Sequence, residues 1–228
     1  MPVTMNLVLG SMILIIVTSA ARTDSGKTTG IWLEEFAVPY EMFVAAGHQV
    51  TVASPRGGRA PVDPRSTAEG TAPANAKEAL AILADTPPLA EIDLARYAAV
   101  FFPGGHGTMF DLPNDPHVRR AVGYFLEADK PAAFVCHGPA ALTGARNAAG
   151  IPYVKGRKVT GFTNEEEDAV ELTADMPFLL ETRLKELGAN FTGAPAFQAH
   201  TVTDGNLVTG QNPASSAGAA RALLERLK

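Results

Sequence analysis

The chain has 228 residues, 46% of them hydrophobic and 19% charged, which is enough for one sizeable core and too apolar for a disordered polypeptide. Its formal net charge is −5, from 24 acidic against 19 basic residues, and no Lys/Arg cluster tracks a phosphate backbone, so nucleic acid is excluded as a main partner and a small or neutral substrate is favoured. A single cysteine excludes an internal disulfide, and no Cys/His spacing suits a structural metal, so neither metal nor cofactor is expected and a reducing, cytoplasmic setting is favoured.

Residues 7–21 are largely apolar, yet no Lys or Arg precedes them as a signal peptide requires, and Gly10 and Ser11 interrupt the run short of a membrane span. Ile13–Val17 instead reads as a buried parallel strand, rich in β-branched residues, with residues 1–11 as a loose extension. Helical spacing predicts a helix over Leu33–Ala46. Near its start, Glu34 and Glu35 differ by about 100° around the axis, so one of them can point inward among Trp32, Phe36 and Pro39 while the other faces solvent. A strand follows at Val50–Ala53, and residues 54–76, rich in Pro, Gly, Ala and charge without a period, read as a loop or insertion near a site mouth.

The next strand, Ala99–Phe102, runs directly into Pro103-Gly104-Gly105-His106-Gly107. Glycines there let backbone amides face a ligand, and the loop can stabilise an oxyanion together with the amide of His137. The pattern is neither GxxxxGK[ST] nor GxGxxG, so no nucleotide phosphate is implied. After a helix at Pro116–Ala128, strand Ala132–Val135 ends at Cys136-His137-Gly138-Pro139, where a helix can open at once. A cysteine on that elbow projects above the sheet beside a helix N-terminus, a setting that favours thiolate over the inert buried thiol of an ordinary core. Residues 161–187 look like a small helical cap with a helix over Met176–Leu187. Within it Thr163 or Asn164 can cap a helix whose first turn carries Glu165, Glu166, Glu167 and Asp168, and only one of those acids has scope to orient a histidine. A last strand at Leu207–Thr209 and a helix at Ala214–Leu227 close the chain.

Strands alternating with helices imply one α/β domain over residues 1–228, with a mainly parallel sheet, helices on both faces, and a site beyond the carboxyl ends of the strands. At Gly30-Ile31-Trp32-Leu33-Glu34-Glu35, Pro103 to Gly107, Val135 to Ala140, Gly161 to Glu167 and Asp204 to Pro213, the chain resembles the DJ-1/PfpI superfamily and its Hsp31-like branch, in family order over nearly the whole length. The resemblance implies a flavodoxin-like three-layer sandwich. It matches Cys136, His137 and Glu167 to a Cys-His-acid triad, Glu35 to an acid approaching the sulfur, and Gly104 and Gly105, with His106 beside them, to the oxyanion loop. It further implies a cofactor-independent glyoxalase that turns 2-oxoaldehydes such as methylglyoxal into 2-hydroxy acids, and it admits a homodimer. Related members are described as deglycases, chaperones or peptidases, so a stress-related holdase or cysteine redox sensor is the alternative. Class I glutamine amidotransferases share the elbow but need a later His-x-Glu, which none of the five histidines here supplies. Neighbouring side chains usually diverge, so Glu35 competes with His137 as the proton carrier.

Overall fold

The computed structural model describes residues 10–228. Of the expected extension at 1–11, residues 1–9 lie outside the described residues; Gly10 and Ser11 lead into β1 (Met12–Ile16). The remaining elements, in chain order, are α1 (Leu33–Ala45), β2 (Gln49–Ala53), α2 (Ala76–Leu83), β3 (Ala99–Phe102), α3 (Thr108–Asp111), α4 (Pro116–Glu127), β4 (Ala132–Val135) and α5 (Ala140–Gly144). There follow β5 (Lys158–Val159), α6 (Asn164–Ala169), α7 (Leu180–Glu186), β6 (Asn190–Phe191), β7 (Thr201–Asp204), β8 (Leu207–Gly210) and α8 (Ser216–Glu225).

Six strands form the main sheet in the order β2-β1-β3-β4-β8-β7. The first five are parallel, and β7 pairs antiparallel on the edge. This is the doubly wound order of flavodoxin-like folds, in which the chain reverses direction beside β1 and ligands sit at the strand ends next to that point. The strands that carry the site, β3 and β4, are buried at every residue, as parallel strands covered on both faces must be. Phe102 and Phe134 stack across them at 4.7 Å, while Phe43 of α1 meets Phe101 edge-on at 5.5 Å. Helices α1 and α8 pack on each other and reach the sheet through β2, β4 and β8; α4 covers β4 and leans on α5, which also meets α3 and α7. Among the described residues no helix is long and apolar enough to cross a membrane.

Helix α4 starts where Asp115 accepts the amides of His117 and Val118 and Pro116 takes the first turn, both favoured at a helix start. The helix expected over Met176–Leu187 is shorter, because Pro177 holds Met176 extended (ψ 140°) and α7 begins only at Leu180. Residues 54–76 form loop and a short helical turn, Pro64–Thr67, opened by the Asp63 carboxylate on the amide of Arg65. Five elements had no separate signal in the sequence: α2, α3, edge strand β7, and the two strands of the short parallel pair β5–β6.

Candidate active site

Strand β4 delivers Cys136 to the carboxyl end of the sheet, and the chain turns there through a left-handed residue: Cys136 has φ 58°. That conformation costs a non-glycine residue about 1–2 kcal/mol. It is held because the Cys136 amide donates to the Gly210 carbonyl (2.9 Å) and its own carbonyl accepts from Phe162 (2.9 Å), which anchors both sides of the elbow. Gly138 closes the turn onto Val135, and a Cβ there would sit 2.3 Å from the Phe102 carbonyl oxygen.

The strained elbow brings two adjacent side chains together. His137 Nδ1 lies 3.2 Å from Cys136 Sγ, and His137 Nε2 lies 2.7 Å from Glu167 Oε2. The divergence expected of neighbouring residues therefore fails here, because Cys136 is not in a strand conformation. With Nε2–H given to the Glu167 carboxylate, Nδ1 is left as an acceptor aimed at the sulfur. Glu167 sits in the first turn of α6. Burial alone would raise its carboxyl, but the hydrogen bonds and charge of His106 and His137 outweigh it and hold the group well below the usual carboxylate range.

Glu35 also lies close to Cys136. It is fully buried, its Oε2 accepts the Gly104 amide at 2.7 Å, and its carboxyl lies near enough to Cys136 for each group to shift the other's titration. Among the described residues its other oxygen, Oε1, has no hydrogen-bond partner. Burial pushes the carboxyl up to about 8, against the pull of the Cys136 and Gly104 contacts, so Glu35 holds its proton at neutral pH and can donate it. Glu34, one position earlier, is only half-buried.

Two expectations change. The Gly104 amide is already engaged by Glu35, so of the two glycines it is the Gly105 amide that faces the sulfur. Gly105 has φ 100°, and a Cβ on it would lie 2.4 Å from both the Gly30 oxygen and the Trp32 nitrogen. Nor does a helix N-terminus make the sulfur a thiolate. Helix α5 has five residues, and burial, reinforced by Glu35, pushes the Cys136 thiol up while the Gly105 amide opposes that rise. The sulfur's proton has a ready acceptor instead in His137 Nδ1.

His106 is placed as a second partner of Glu167, with Nε2 2.8 Å from Oε1. Arg65 Nη2 stands 3.1 Å from its Nδ1, and an arginine can only donate, so the donated proton on His106 is the one on Nε2. Burial, then the neighbouring His137, brings His106 down to about 4 and keeps it neutral. Arg65 is itself clamped by buried Asp63 through Nε–Oδ1 (3.0 Å) and Nη2–Oδ2 (2.7 Å). The donor atoms of His106, His137 and Glu167 all lie within 4.8 Å of one another, a set chemically able to hold a divalent metal, but they already satisfy one another as a hydrogen-bonded chain.

Cys136 opens onto a cavity of about 340 Å³ walled by Trp32, Gly105, Phe162, Val170, Phe197 and Pro213, with Arg65 its permanent cation. Sequence reasoning missed Asp63 and Arg65, which lie in a segment without periodicity, and the apolar wall. It also missed that the acidic run is divided. Glu166 completes a capping box with Thr163 and accepts from Phe197, Gln211 and Asn212, Glu167 faces the histidines, and Glu165 and Asp168 are exposed.

The profile of the DJ-1/PfpI family matches residues 28–226. The crystal structure of glyoxalase III from Candida albicans is 27% identical and superposes with a TM-score of 0.87 over 96% of this chain and 98% of that one. Rapid Encystment Protein 24 kDa of Francisella tularensis is 32% identical, with a TM-score of 0.91 over 96% and 99%. A probable glutathione-independent glyoxalase of Schizosaccharomyces pombe is 35% identical over 145 residues, which span 60% of this chain and 64% of that protein, a little under two thirds of its length.

Proposed function

The chain belongs to the DJ-1/PfpI family, and from that premise we propose that it is a cofactor-independent glyoxalase converting a 2-oxoaldehyde and water to a 2-hydroxy acid. One observation carries this reading: the Cys136 sulfur lies 3.2 Å from a histidine nitrogen whose ring is oriented by Glu167, with the fully buried Glu35 carboxyl held beside it on the Gly104 amide. Nucleophile, base and proton carrier are then all present for an internal oxidation and reduction. One carbon of the substrate is oxidised as its neighbour is reduced, so the chemistry needs no outside electron acceptor. The glyoxalase named in Candida albicans, similar over almost the full chain, supports the substrate class.

Cys136 sulfur attacks the aldehyde carbon while its proton passes to His137 Nδ1, and Glu35 protonates the aldehyde oxygen, giving a neutral hemithioacetal. The amides of Gly105 and His137 stabilise charge developing on that oxygen. Glu35, now a carboxylate, takes the hydrogen from the aldehyde carbon as His137 protonates the ketone oxygen, and an enediol results. Glu35 delivers the proton to the former ketone carbon and regains one from the first hydroxyl, which leaves a thioester on Cys136. Water, deprotonated by His137, cleaves the thioester, and the departing sulfur takes that proton back. A reducing cytoplasm suits a reaction that depends on one free thiol.

The test is methylglyoxal turnover in buffer free of glutathione and metal, with the product assayed as lactate. Lactate should form in proportion to enzyme and to aldehyde consumed. Consumption of aldehyde without lactate would identify a scavenging thiol and overturn the assignment.

A further inference from the structure

Phe197 occupies a position that packing alone does not explain. Its backbone is left-handed, with φ 62°, and its side chain is 50% exposed. A bulky residue in that region is a conformational outlier, costing about 1–2 kcal/mol. The strain is nevertheless fixed on both sides of the residue. The Phe197 amide donates to buried Glu166 Oε1 at 2.8 Å, and the Gln198 carbonyl accepts from Asn212 Nδ2 at 2.7 Å, an amide that also donates to Glu166 Oε1. So held, the ring forms one wall of the cavity above Cys136, 6.4 Å from the ring of Phe162, with Trp32, Val170 and Pro213 completing an apolar surround.

Methylglyoxal presents only a methyl group to this wall. A cavity of about 340 Å³ falls in the size range of pockets for much larger ligands, which begins at about 300 Å³. Resting on the glyoxalase reading, we propose that the site is built for 2-oxoaldehydes with a large apolar substituent, an aryl group above all, and that Phe197 determines that specificity. The carbonyl end meets Cys136, and the ring of the substrate lies against Phe197 and Phe162. Aromatic rings at such spacings attract each other beyond the burial of their area.

The experiment compares initial kcat/KM for phenylglyoxal and methylglyoxal in the wild type, Phe197→Gly and Phe197→Tyr. Glycine removes the ring and also relieves the left-handed backbone, so the variant is not handicapped in folding. The wild type should favour phenylglyoxal by at least about tenfold. Phe197→Gly should erase roughly three- to tenfold of that preference, mainly through KM, and Phe197→Tyr should retain it. A wild type that prefers methylglyoxal, or a preference unchanged in Phe197→Gly, overturns the proposal. If neither aldehyde is turned over, the glyoxalase reading fails, and the pocket is still decided by protection of Cys136 from iodoacetamide. Mandelate should protect at far lower concentration than lactate, and equal protection would overturn the aryl pocket as well.

Discussion

Replacing Glu35 with Gln separates proton storage from geometry. The Gln oxygen can still accept the Gly104 amide, and its NH2 can still donate to the sulfur, so contacts on both sides survive. What disappears is the titrating proton. The wild-type carboxyl rises from an ordinary value of 4.5 to about 8, chiefly through burial. Between those limits the folded protein keeps a proton that the unfolded chain releases, so stability falls as pH rises and levels off above about 8. At about 1.36 kcal/mol per pH unit, the rise is worth at most about 5 kcal/mol. Urea unfolding of both proteins at pH 5, 7 and 9 should therefore show Glu35→Gln gaining on the wild type by several kcal/mol across the window, with little change below pH 4.5. Turnover of methylglyoxal at pH 7 should fall by about 10²- to 10⁴-fold, the usual contribution of a positioned acid–base group, while alkylation of Cys136 by iodoacetamide persists. Parallel pH–stability curves together with wild-type turnover would refute a buried, protonated Glu35 and return the proton transfer to His137.

Glu167→Gln leaves one oxygen to serve two histidine Nε2–H groups, so one imidazole must turn over its tautomer; kcat should drop by about 10²-fold or more, while Glu165→Gln, at an exposed site, should match the wild type. Equal and negligible losses would reduce the acidic run to a helix cap. Gly105→Ala should cost roughly 3 kcal/mol or more by thermal or urea unfolding, since both the positive φ and the 2.4 Å approaches to Gly30 and Trp32 oppose a Cβ. Gly58→Ala, at φ 70° with open space around it, should cost only about 1 kcal/mol, and similar losses at both positions would deny the close approach.

The parallel strands were readable because residues buried on both faces are apolar without alternation, as in Ala132–Val135. The elbow was readable because glycine and proline follow that strand at once. That one of Glu34 and Glu35 turns inward followed from about 100° per residue and the apolar neighbours, and the family resemblance singled out Glu35. The left-handed twist of Cys136 was not readable, since nothing but glycine or asparagine announces such a conformation, so the meeting of Cys136 and His137 came from the family resemblance and not from local geometry. Arg65 reaches His106 across 41 residues from a loop that carries no period, and Asp63, which clamps Arg65, lies in the same loop. Strand β7 is half-exposed on a sheet edge, so its residues lack the apolar run that marked the others. Phe197 gave no signal either, because an isolated aromatic in a loop reads the same whether it is a cavity wall or chance exposure.

The most direct measurement is methylglyoxal turnover by Cys136→Ser beside the wild type, in glutathione-free buffer with lactate as the readout. The serine is near-isosteric and can occupy the same elbow, but a hydroxyl is a far weaker nucleophile than a thiol. Lactate formation should fall by at least about 10³-fold in a variant whose unfolding midpoint stays close to that of the wild type. Turnover within tenfold of the wild type would contradict a cysteine nucleophile, and with it the mechanism built on Cys136.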